Sequence, residues 1–138
     1  MEYGKRLREC MDVDDSTFYD SDRIAIMPMG FCYPGTGKSG DLAPRPECAP
    51  AWRPQLLEHL NKLELTIVLG GYAQKYHFGE ASKSVTTLVK SWETYWPNNI
   101  IPLPHPSPRN NLWLRKNQWF EVETVPEIQR LIRALLQA

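Results

Sequence analysis

Hydrophobic positions along the chain fall into two spacings, one that suits helices and one that suits short buried strands. Over residues 3–11, Leu7, Cys10 and Met11 lie three and four apart, which predicts a helix. An acidic, turn-forming stretch follows over residues 12–22. The run Ile24-Ala25-Ile26-Met27 reads as a buried strand that stops at Pro28. From residue 30 to 54 no period survives among the prolines and glycines, and a loop of that length in a small domain is usually functional. A helix is predicted from Pro54 to about residue 61, with Leu56, Leu57 and Leu60 on one face. Residues 65–69 read as the next strand, closed by Gly70-Gly71. Val85, Leu88, Val89, Trp92 and Trp96 form one stripe of a helix over residues 84–96, with Pro97 as its stop. Residues 100–103 form a strand that runs into His105, and Ile128, Leu131, Ile132, Leu135 and Leu136 mark a last helix over residues 125–137.

Strands alternating with helices predict an α/β fold, a three-layer α/β/α arrangement around a short parallel sheet. Ligand sites in such folds gather beyond the carboxyl ends of the strands. Here those ends lead into residues 28–34, 70–74 and 104–110, the least regular parts of the chain. The length of 138 residues suits one domain over residues 1–138.

Composition excludes several classes. Hydrophobic residues are 42% and charged residues 23% of the chain, too apolar for a disordered protein. The longest apolar runs are too short to span a bilayer, and residues 2–15 lack the apolar core of a signal peptide, so a cytoplasmic protein with no membrane partner is expected. Net charge is zero, but residues 1–69 hold 8 basic against 11 acidic side chains and residues 70–138 hold 8 against 5. Any phosphate contact is therefore expected from the second half, where Arg109, Arg115 and Lys116 lie close together. Cys10, Cys32 and Cys48 lack the number and spacing of a disulfide framework or a metal site and read as inert thiols. Pro34-Gly35-Thr36-Gly37-Lys38-Ser39 imitates a phosphate-binding loop, but Cys32 stands where its first Gly belongs. Prolines 44 and 46 then oppose the helix that should follow.

Three segments carry a specific resemblance. His105-Pro106-Ser107-Pro108 follows a strand, Leu69-Gly70-Gly71-Tyr72-Ala73-Gln74-Lys75 follows the strand before it, and a third stretch spans residues 18–52 with Pro28-Met29-Gly30-Phe31-Cys32-Tyr33-Pro34-Gly35. In this order they resemble the uracil-DNA glycosylase superfamily, in particular a bacterial glycosylase-like subgroup that residues 110–121 also resemble. The resemblance implies hydrolysis of the N-glycosidic bond of uracil or another damaged base in DNA, by a route needing no metal and no cofactor. It implies His105 as the catalytic donor to the departing base, with Met29, Gly30 and Phe31 in the base pocket. Gly71, Tyr72, Ser107, Arg109 and Asn110 are implied as contacts to the DNA backbone. His59 and His77 have no such context.

The resemblance also implies what is not in this sequence. Residues 3–13 resemble the helix that follows the family's Gly-Gln-Asp-Pro or Gly-Glu-Ala-Pro motif, so the domain is expected to be incomplete at its N-terminus. The strand bearing that motif is central in a two-one-three-four sheet. Three parallel strands are therefore expected in an irregular sheet, or in one completed by a homodimer. Met27-Pro28-Met29 stands where many members carry an Asn that reads uracil. The alternative function is a non-catalytic nucleic-acid- or nucleotide-binding protein that keeps the base pocket.

Overall fold

The structure is a computed structural model describing residues 2–20, 22–27, 36–38, 40–41, 54–55, 57–58, 60, 62–79 and 84–137. In chain order the elements are α1 (Glu2–Met11), α2 (Asp15–Phe18), β1 (Thr36–Gly37), β2 (Gly40–Asp41), β3 (Thr66–Leu69) and α3 (Gly70–Phe78). They continue with α4 (Val85–Lys90), α5 (Trp92–Tyr95), β4 (Ile100–Leu103), α6 (Asn111–Lys116) and α7 (Val125–Gln137). The described residues between 54 and 58 are helical, as expected there. The chain divides into two compact units, residues 27–103 and residues 1–26 with 104–138.

In the unit of residues 27–103, β3 and β4 pair in parallel, from Thr66 beside Ile100 to Leu69 beside Leu103. This gives the expected α/β class with a short parallel sheet. Val68, Ile101 and Leu103 are buried, and α4 and α5 pack on β4 with Leu88, Val89 and Trp92. Each such side chain, fully buried, stabilises by roughly 1.5–3 kcal/mol. Pro102 has no amide hydrogen to give a ladder, which suits a strand at a sheet edge. The helix expected over residues 84–96 is divided at Ser91, although Leu88, Val89 and Trp92 of its apolar stripe are buried and Val85 and Trp96 half-buried. Ser91 N–H closes α4 on Thr87 and Leu88 carbonyls, and its own carbonyl accepts from Thr94 to start α5. The β-branched run Val85-Thr86-Thr87 and a serine at the joint weaken a longer helix.

One expectation is corrected. Among the described residues the parallel sheet has two strands rather than three, because Ile24-Ala25-Ile26-Met27 is not a strand. The Ile24 amide donates to Asp20 O at 2.9 Å, a local turn bond that removes it from any ladder, and Ile26 is 64% exposed. Gly70-Gly71 closes β3 as expected, and the pair forms the first turn of α3. Gly70 makes that abrupt strand-to-helix change with φ of 80°, a left-handed conformation that favours glycine. At the false phosphate loop, β1 and β2 pair antiparallel, so the chain reverses around Lys38 where a phosphate-binding loop would open a helix.

In the other unit α1 lies against α7. Gln129 Nε2 donates to Glu9 O at 2.9 Å, and Arg133 pairs with Asp12 at 2.8 Å. Met11, Phe18, Phe120, Ile128 and Ile132 form the buried core. Trp113 and Trp119 are half-buried around Phe120, edge to face, with ring centroids 5.5 and 6.2 Å from it. A wide turn at Phe120–Thr124 leads into α7 and buries both its end residues.

Candidate functional site

Prolines alternate along Pro102-Leu103-Pro104-His105-Pro106-Ser107-Pro108. Each ring fixes its own φ and restricts the residue before it, so the backbone at His105 is constrained on both sides. Pro104 and Pro106 are buried while His105 between them is exposed. Even so, nearby protein excludes enough water to hold the His105 pKa below its ordinary value, which favours neutral imidazole near pH 7. A neutral imidazole presents one N–H donor and one acceptor nitrogen.

After His105 the chain closes a turn on itself. Ser107 caps a short 3₁₀ segment, Pro108–Asn110, and its Oγ accepts from the Arg109 amide at 3.2 Å. The Asn110 amide donates to Ser107 O at 3.0 Å. Asn110 Nδ2 donates to His105 O at 2.6 Å, tying the end of the turn back to the histidine. Arg6 of α1 donates from Nη1 to Ser107 O at 3.0 Å and from Nη2 to Asn111 Oδ1. Arg109, Arg115 and Lys116 are exposed on this turn and on α6. Thus His105, Ser107, Arg109 and Asn110 stand in one hydrogen-bonded turn.

Gly71 and Tyr72 lie in the unit of residues 27–103, in the first turn of α3, and both are exposed, Tyr72 by 61%. A Cβ on Gly71 would meet Val85 Cγ2 at an ordinary 3.8 Å, so packing does not demand glycine there. One turn further on, Gln74 is buried and its Nε2 donates to Leu103 O at 2.8 Å and to Val68 O at 3.3 Å. The two carbonyls belong to the carboxyl-end halves of β4 and β3. Met29, Gly30 and Phe31 lie outside the described residues.

Sequence reasoning missed Arg6, Asn111 and Gln74 as organisers of these segments. Gln74 had a signal in its place within Gly-Gly-Tyr-Ala-Gln-Lys. Arg6 had none, because its partner is 101 residues away. Among the described residues no three His, Cys, Asp or Glu gather as metal ligands, and no helix is long and apolar enough to cross a membrane.

The family model described as the Uracil DNA glycosylase superfamily matches residues 2–129. Those residues include both turns just described and cover nearly the whole chain. This chain belongs to the uracil-DNA glycosylase superfamily.

Proposed function

We propose that this protein binds DNA containing uracil or another damaged base and hydrolyses the N-glycosidic bond that holds that base. The observation that carries the reading is the His105 turn, in which an exposed imidazole stands between two buried prolines and Asn110 braces the backbone carbonyl of the histidine. In the reaction a water oxygen bonds to C1′ while the C1′–N bond breaks. The bonding electron pair leaves with the base and spreads onto its carbonyl oxygens, and the water's surplus proton passes to solvent or base. A preorganised N–H donor from His105 at such an oxygen is worth about 3–4 kcal/mol of barrier.

Reaching the bond requires the nucleotide to leave the stack. Met29, Gly30 and Phe31 are assigned to the pocket that receives it, with Phe31 stacking on the base. Ser107 accepts one hydrogen bond within the turn and keeps a hydroxyl proton to donate to a phosphate. Asn110 has a second amide hydrogen for the same purpose, and Arg109 adds a charged fork. Gly71 and Tyr72 offer backbone amides and a phenol to the strand. The chemistry belongs to base excision repair in the cytoplasm. A second copy of the chain is part of the proposal, since among the described residues the parallel sheet has two strands of four residues each and so leaves strand edges that another chain could pair. Ultracentrifugation that finds only monomer up to high micromolar concentration would remove that part.

The test is release of base from uracil-containing single- and double-stranded oligonucleotides, comparing the chain with His105→Gln. A loss of about 10²–10³-fold in the variant is expected. Equal product from both rejects the role of His105. One feature of the sequence favours a second reading, a non-catalytic nucleic-acid- or nucleotide-binding protein: Met27-Pro28-Met29 stands where the resemblance implies an Asn. Tight binding to uracil-DNA without product selects that reading.

A further inference from the structure

The geometry points to Arg6 as a positioning residue that clamps the His105 turn through Ser107 and Asn111; the inference rests on the function proposed above. The Arg6 guanidinium holds the carbonyl of the residue that precedes the 3₁₀ segment and the side chain of the residue that follows it. One planar group therefore grips both ends of the turn. The bond to Ser107 O is partly buried, which protects it from competition by water. From the clamped segment Asn110 reaches back to His105 O, so the chain of contacts runs Arg6, Ser107, Asn110, His105.

Lysine cannot reproduce this arrangement. Its three donors radiate from one nitrogen, whereas the two acceptors are met by two different nitrogens of a rigid fork. Among the described residues no carboxylate forms an ion pair with Arg6. Its charge thus remains behind the turn assigned to phosphate binding, where it also favours an incoming anion. Helix α1 is otherwise anchored on α7 by Glu9 O and Asp12, so loss of Arg6 leaves the helix an independent attachment.

The experiment compares Arg6→Ala and Arg6→Lys with the unsubstituted chain, with and without millimolar methylguanidinium. One readout is the NMR signals of the His105 ring and the Asn110 side-chain amide, recorded without DNA. The other is affinity for a uracil-containing oligonucleotide. Arg6→Ala is expected to shift both sets of signals and to weaken binding about tenfold or more, with methylguanidinium reversing part of each effect. Arg6→Lys is expected to keep the signals shifted despite its charge. Unchanged His105 and Asn110 signals in either variant overturn the inference, as does a lysine variant that matches the unsubstituted chain. Should Arg6→Ala fail to fold, the lysine variant decides by the same signals. Failure of the unsubstituted chain to bind the oligonucleotide counts against the proposed function alone, because the NMR readout still judges the clamp.

Discussion

The side-chain nitrogen of Gln74 donates to the carbonyl oxygen of Leu103 across 2.8 Å, in the interior of the unit that holds β3 and β4. A longer bond of 3.3 Å to Val68 O makes the amide a cross-tie between the two parallel strands near their carboxyl ends. Gln74 is only 1% exposed, and its Oε1 has no hydrogen-bond partner among the described residues. The two donated bonds offset the cost of leaving that oxygen unpaired in the interior.

Replacing Gln74 by Ala removes both bonds and leaves a void, and is expected to lower stability by about 2–3 kcal/mol in urea unfolding. Gln74→Met keeps the volume and removes the unpartnered oxygen as well as the bonds, so a smaller loss of about 1–2 kcal/mol is expected. An alanine variant within about 0.5 kcal/mol of the parent contradicts the cross-tie.

Gly70 and Gly71 separate a backbone requirement from a surface one. Gly70→Ala forces a side chain into a left-handed conformation and should cost about 1–2 kcal/mol. Gly71→Ala meets only the ordinary contact with Val85 and should leave thermal stability within about 0.5 kcal/mol of the parent. If Gly71 is where a DNA phosphate approaches the backbone, the same variant weakens oligonucleotide binding. Equal thermal effects of the two substitutions reject the distinction.

Desolvation lowers the His105 pKa, and this has a defined sign for stability. Between the folded midpoint and the ordinary histidine value, the unfolded chain binds more protons than the folded one. Stability therefore rises with pH across that window, and is lost as pH falls through it. NMR titration should find the His105 midpoint below that of the unfolded chain, and His105→Asn should flatten the pH dependence of unfolding in that range. A midpoint at or above the ordinary value overturns the assignment of a neutral donor.

Cys10 illustrates the opposite direction. Burial is the largest cause, followed by the negative charge of Glu121, and together they push its thiol up to about 11. The thiol should stay protonated at pH 8 and react with a disulfide reagent far more slowly in the folded chain than in denaturant. Equal rates in the two conditions would show that Cys10 is not shielded.

Where an element buries an apolar stripe, its sequence was enough to find it. The Ile128, Leu131, Ile132, Leu135 and Leu136 pattern locates α7, and the short apolar runs locate β3 and β4. The motif around His105 located the candidate site. Helix α3 was illegible for a physical reason: its buried positions are Gly70 and Gln74, a glycine and an amide four residues apart, which leave no hydrophobic period. Ile24-Ala25-Ile26-Met27 misled in the other direction, because an apolar run specifies a strand only if a neighbour accepts its hydrogen bonds, and the Ile24 amide bonds to Asp20.

By itself, then, the sequence determined the family and the α/β class, and it marked the segment to which the chemistry is assigned, since each is written in local spacing or in contiguous motifs. Tertiary structure alone decided how those segments are held. Gln74 crosses to Leu103, and Arg6 reaches Ser107 across 101 residues, through bonds whose partners have no fixed separation along the chain. A polar side chain that organises a distant backbone leaves no period to read, so such contacts become visible only when the fold brings donor and acceptor together.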